Sequence, residues 1–260
     1  MDSRLTELRD EAQALVAGLP RPAFYRDHAS DVAQAKRLFF EHPLVDRLQQ
    51  DCLPFLYDDY GHGIQHAKLV SVDAAAICVL ELPDAAAAEI RRSALLAQFC
   101  GLLHDICRLE PDHARRGAET ARLVLRDYPL DDAEVDAVTH AVAAHEAFTD
   151  VPPAPSPLAA LLAGALYDAD KFRWGPDNFS TTLWEICDYE DWSVAEIAER
   201  FPKGLETVRA VESTFRTPTG RAYGPEMIEL GLAVGERMAE LLARAAREPG
   251  GEGEIGRAHV

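Results

Sequence analysis

In DAAAAEIRRSALLAQFCGLLHDICRL, residues 84–109, apolar side chains at Ile90, Leu95, Leu96, Phe99, Cys100, Leu103 and Cys107 recur every three or four positions. That spacing lays one stripe along a helix and requires a core to cover it. Several other stretches repeat the pattern, β-branched residues are sparse, and no strand–helix–strand alternation appears. The expected fold class is therefore all-α. With 260 residues and 48% hydrophobic content the chain can bury a sizeable core. A single helical domain is expected over residues 1–247, with extra N- and C-terminal helices around a central bundle.

The first helices are expected at about 3–18 and 31–50, separated by GLPRPAFYRDHAS, in which the prolines suit a turn and Ser30 a helix cap. DDYGHGIQHAKLV begins with glycines and turns helical, and that helix ends before Pro83. Further helices are read at 114–127, in DDAEVDAVTHAVAAHEAF with acidic residues at its start, and over 158–170, ending at DADKF. TDVPPAPSP between the last two is a loop. Two or three more helices follow near 177–188, 193–212 and 225–247, with STFRTPTGRAYGPEM, residues 213–227, as a loop. The tail EPGGEGEIGRAHV, residues 248–260, loses all periodicity and is expected to be disordered. Its last seven residues read like a translated sequencing adapter, so the tail is taken as an artefact and His259 receives no role.

A formal net charge of −18 repels a phosphate backbone and argues against general nucleic-acid or anionic-membrane binding. An anionic substrate would need local cations, from a metal or from clustered Arg and Lys. MDSRLTELRDEAQALVAGL lacks the uninterrupted apolar core of a signal peptide, and no later apolar run approaches a bilayer span, so a cytoplasmic location is expected. The five cysteines form no CxxC pair and are read as buried reduced thiols.

A His-Asp doublet, His104 and Asp105, ends the opening stripe. By itself it is weak evidence, since a chain with nine histidines and many aspartates contains one by chance about half the time. Its setting carries more: His66 in HAKLV precedes it, and His113, His145 in VAAHE and Asp170 in YDADKF follow. Helical phase separates His145 from its neighbour His140. Val135, Val138, Val142 and His145 share one face, whereas His140 points away from it. An inward imidazole needs a partner, and a metal ion shared with other inward His and Asp residues supplies one.

The order H…HD…H…H…D resembles the HD superfamily of metal-dependent phosphohydrolases, which are all-helical, over about residues 55–175. HAKLV is similar to the motif of the first histidine, LLHDI to the doublet, HARRGA to the third-histidine motif and DADKF to the closing aspartate motif. The resemblance implies that the second aspartate of DADKF, Asp170, is the ligand and Asp168 supports it. Many members have only H…HD…D and hold one metal. The additional His113 and His145 resemble the binuclear branch, in which one ion takes His66, His104, Asp105 and Asp170, the other takes Asp105, His113 and His145, and Asp105 bridges. The members that cleave cyclic dinucleotides carry a histidine pair and a GYP motif at this point; here Ala144 precedes His145 and no GYP follows, so that substrate is not expected.

Mixed imidazole and carboxylate ligands suit one or two divalent transition metals: iron, manganese, nickel, cobalt or zinc. Such ions lower the pKa of a bound water and neutralise charge on a phosphoryl oxygen, so no protein nucleophile is required. The expected activity is hydrolysis of a small-molecule or nucleotide phosphate ester, with Asp105 the central catalytic carboxylate. A di-iron oxygenase of the same superfamily uses the same six ligands and is the alternative. A non-catalytic ligand-binding or signalling module is disfavoured, because no ligand position has been replaced.

Supporting roles are open. His62, four residues before His66, reaches toward the same pocket for proton transfer or substrate binding, or belongs to loop geometry set by its flanking glycines. Lys171 and Arg173 either meet a phosphate or, for Lys171, pair with Asp168. Arg108, Arg115 and Arg116 are expected on solvated faces. The 213–227 segment with Arg216, Thr217 and Arg221 either closes over a pocket or merely joins two helices. Phe172, Trp174, Trp184 and Trp192 are read as core.

Overall fold

A computed structural model describes residues 3–56 and 63–247. The sequence expectations for His62 and for the 248–260 tail lie outside the described residues. Among the described residues twelve α-helices follow one another: α1 (Ser3–Ala17), α2 (Ala23–Asp27), α3 (Ala29–Glu41), α4 (Pro43–Cys52), α5 (Ile64–Leu80), α6 (Ala87–Leu103), α7 (His113–Leu125), α8 (Asp132–Ala143), α9 (Pro157–Phe172), α10 (Leu183–Tyr189), α11 (Val194–Val211) and α12 (Pro218–Ala245). Among the described residues there is no strand, so the all-α class holds. None of their helices is long and apolar enough to cross a membrane.

α2 forms inside the expected 18–30 linker, and three further differences from the sequence expectation concern α3, α4 and α12, two of them at prolines. The single helix expected over 31–50 is two helices broken at His42, which is extended at φ −84°, ψ 121°. The ring of Pro43 forbids helical backbone before it and opens α4 at its first position, where no N–H is needed. The His42 ring accepts from the backbone N–H of Leu44. The second concerns Ser30, which is not a cap: it sits inside the first turn of α3, whose N-cap is His28. The third is the expected loop 213–227, most of which is the start of α12. Pro218 occupies its first position and the Thr217 hydroxyl caps it by accepting from Gly220 N–H at 2.8 Å. The start of α8 follows the sequence, with Asp131 and Glu134 forming a reciprocal capping box.

The core is built on α5, α6 and α9, with α8 against α6 and α9 and α7 against α8. α5 is buried continuously from Val70 to Cys78. At the α5–α6 crossing the backbones nearly touch: a Cβ on Gly101 would lie 2.4 Å from Ser71 Cα. The Ser71 hydroxyl spans the gap, hydrogen-bonded to Ala67 O at 2.7 Å and Gln98 O at 3.1 Å. This close approach sets the separation of His66, one turn before Ser71, from His104, one turn after Gly101. Trp184 and Phe172 are fully buried, whereas Trp174 and Trp192 are only partly so. The five cysteines form no disulfide, and all but Cys107 are buried.

Arg173, for which a phosphate contact is the lesser of the sequence readings, is committed inside the fold. Its guanidinium donates to Asp73 at 2.6 Å, to Asp177 at 2.5 Å and to the Tyr25 hydroxyl, tying the end of α9 to α5 and α2. Such a paired buried charge holds elements in register rather than serving a ligand.

Candidate metal centre

Five helix ends converge on one cluster. His66 stands in the first turn of α5, His113 opens α7, and Asp170 lies in the last turn of α9. The doublet is not inside a helix as the stripe implied: α6 stops at Leu103, His104 is its C-cap, and Asp105 begins the turn that follows. His145 likewise lies two residues past the end of α8. It is nonetheless buried, with Ala144 turning the chain in the bridge region (φ −101°, ψ 4°) and Val142 O holding the His145 ring at 2.6 Å.

The donor atoms form two trios that share Asp105. Asp105 Oδ2 lies 3.2 Å from His104 Nε2 and 3.8 Å from His66 Nε2, and the two imidazole nitrogens are 3.2 Å apart. Asp105 Oδ1 turns the other way, 3.5 Å from His145 Nε2 and 3.7 Å from His113 Nε2, which are 3.3 Å from each other. Asp170 Oδ1 joins the first trio at 3.4 Å from His66 Nε2 and 3.9 Å from His104 Nε2. Donors about 2.0–2.1 Å from one ion stand about 2.9–3.4 Å from each other in octahedral or tetrahedral arrangements. The imidazole–imidazole spacings, 3.2 and 3.3 Å, fall in that range and the distances to Asp105 reach up to 3.8 Å, so each trio could hold a cation once the carboxylate draws in slightly.

Protonation favours the same fit. His104 Nδ1 donates to Gly101 O at 2.8 Å, His145 Nδ1 to Val142 O at 2.6 Å, and His113 Nδ1 is 3.0 Å from Glu146 Oε1. These partners hold the proton of each neutral ring on Nδ1 and leave the Nε2 lone pair toward the cluster, as metal-binding histidines require. In the second trio two such lone pairs face each other, which is unfavourable without a positive charge between or beside them.

Burial pushes His66 below the ordinary imidazole range despite its aspartate neighbours. It acts the same way on His104, but Asp105 and Asp170 outweigh it and the net shift is upward. For Asp170 burial acts upward, yet Lys171 and the two imidazoles win and hold the carboxyl well below its usual range. Asp170 is thus a carboxylate.

Lys171 is buried, with Nζ 2.5 Å from Asp170 Oδ2. The sequence leaves Lys171 between a phosphate and an ion pair with Asp168, but Asp168 is taken by the segment leading into α12. It accepts from Arg216 N–H and Thr217 N–H, each at 2.8 Å, and from the Thr217 hydroxyl at 2.6 Å. Lys171 therefore supports a candidate ligand directly, through its ion pair with Asp170.

Three further residues belong here: Glu146, which sequence reasoning missed, and Arg108 and Arg216, for which it preferred a solvated face and a plain connection. Arg108, assigned to a solvated face, sends Nη1 to 3.1 Å from His113 Nε2 and 4.0 Å from Asp105 Oδ1, with its side chain still 32% exposed. Arg115 and Arg116 do stay outside, paired with Glu119 and Glu110. Glu146 orients His113, and Arg216 donates to Ala144 O at 2.7 Å beside His145. For Glu146 the adjacency to His145 was the sole available signal; the other two depend on tertiary approach. Comparison with protein-family models, with curated proteins and with solved structures gives no match.

Proposed function

We propose that the chain is a metal-dependent phosphohydrolase of the HD type, acting in the cytoplasm on a small-molecule or nucleotide phosphate ester. The observation that carries this reading is the splitting of Asp105, whose two oxygens each face a separate pair of imidazole nitrogens. A carboxylate so placed can hold two divalent ions together, and such ions, once bound, activate a water and neutralise charge developing on a phosphoryl oxygen. The protein's own groups do the rest. His66, His104 and Asp170 hold one position, and His113 and His145 the other. Lys171 keeps Asp170 ionised, Glu146 fixes the His113 tautomer, and half-exposed Arg108 offers positive charge at the rim to an anionic ester. In a chain of net charge −18 these cations are what makes an anionic substrate acceptable.

The test is metal analysis of anaerobically purified protein together with a screen for phosphate release. Release supported by manganese, nickel or cobalt is expected. Stoichiometric iron with oxygen-dependent loss of substrate and no phosphate release would instead identify an oxygenase. The His113→Ala and His145→Ala variants are each expected to lower metal content from two ions to one per chain. Unchanged content in both would make the second trio structural.

A further inference from the structure

His145, like Asp105, lies beyond the end of its helix, so something must fix the peptide that carries it. Val142 O holds the ring through Nδ1. The backbone is held from a distant part of the chain: Arg216 Nη1 donates to Ala144 O, the carbonyl of the peptide bond leading into His145, at 2.7 Å. A cation at that point also meets the negative end of α8.

Arg216 is itself fixed on three sides. Its backbone N–H donates to Asp168 Oδ1, and its guanidinium lies 3.6 Å from the centroid of the Tyr167 ring. The Tyr167 hydroxyl donates to the Thr214 hydroxyl at 2.7 Å, anchoring the same turn. Asp168 also binds Thr217 at the start of α12, and a Cβ on Gly220 would fall 2.0 Å from its carboxylate, so that helix end sits directly on Asp168. α9 thus carries a candidate ligand, Asp170, on one face. On another it carries Tyr167 and Asp168, which seat the arginine that restrains a second ligand.

We propose that Arg216 is a positioning residue for the His113–His145–Asp105 metal position, acting through the Ala144 carbonyl to set where His145 Nε2 points. The inference rests on the two-ion reading above. It requires selective loss: without the Arg216 hydrogen bond the second position weakens while the first, built from α5, α6 and α9, does not.

The experiment is titration of the metal-free full chain with Co²⁺, followed by calorimetry and by the visible cobalt spectrum. Arg216→Met keeps an apolar stem against Tyr167 but has no donor. It is expected to bind the first equivalent as the parent chain does and the second about tenfold more weakly or worse, the usual scale for losing a group that orients a ligand. Arg216→Lys, which restores charge and a donor without the planar fork, should recover part of that loss. If the Met variant does not fold, Lys carries the test alone, with weakening again expected at the second equivalent. Parent-like affinity for both equivalents, or equal weakening of both, overturns the inference and leaves the two-ion reading standing. A parent chain that binds a single cobalt removes the second position, and with it both the inference and the two-ion reading.

Discussion

Asp105→Ala is expected to abolish phosphate release, by on the order of 10²–10³-fold or more, in a protein whose circular dichroism is unchanged. Asp105 is the residue common to both trios, with one oxygen toward His66 and His104 and the other toward His113 and His145. Its removal takes away a ligand from each position and lets two cations face each other with no negative charge between them. Asp105→Asn keeps the shape and removes the charge, and should lose metal and activity almost as fully. His140 provides the contrast. It is half-buried, near Arg216 rather than the cluster, and burial followed by the Arg216 charge pushes its pKa down. His140→Ala should keep activity within about twofold, as substitutions away from special features do. Equal losses in the Asp105 and His140 variants would show that helical phase selected the wrong histidine, and activity surviving in Asp105→Ala would remove the two-ion mechanism.

Gly101→Ala is expected to destabilise the fold by on the order of 3 kcal/mol, lowering the melting temperature by roughly 6–12 °C. The added methyl would lie 2.4–2.5 Å from Ser71 Cα, N and Oγ, and two of those atoms are backbone that cannot rotate aside. α5 and α6 must separate, which moves His66 relative to His104. Gly204→Ala is the control of opposite sign. Gly204 is exposed inside α11 and nothing lies within 4 Å of a Cβ there, so alanine should stabilise by about 0.5–1 kcal/mol through its higher helix propensity. Differential scanning calorimetry of the two variants reads both effects, and a Gly101→Ala protein that melts with the parent would refute the packing argument.

Helical periodicity made the architecture legible because nearly every helix has an apolar face. It failed at boundaries where one residue decides. Pro43 splits a stretch that is periodic on both sides, and Pro218 begins a helix that its neighbours Thr217, Gly220 and Arg221 disguise as a loop. The geometry of the site was legible only through the residues that bring their own chemistry. His145 was placed inward by phase although α8 had already ended, and it is the hydrogen bond from its Nδ1 to Val142 O that holds it there. The spacing of Asp168 and Lys171 put them on one helical face, yet the α12 N-terminus claims Asp168 and leaves Lys171 to its immediate neighbour. Arg108 and Arg216 could not be found from spacing, since each acts across a turn or from more than seventy residues away.

The facing imidazole nitrogens of the second trio, 3.3 Å apart with both Nδ1 positions taken by other partners, hold electrostatic tension within a packed core. On the proposed reading, a cation that enters relieves that tension only in the folded chain, because unfolding scatters the five helix ends that hold the donors. Folding and metal capture then become linked equilibria, and at an ion concentration a hundredfold above its dissociation constant each position adds about 2.7 kcal/mol to the folded state. The chain's heat resistance would accordingly report the metal supply around it, high in a replete medium and falling when a chelator competes for the ions.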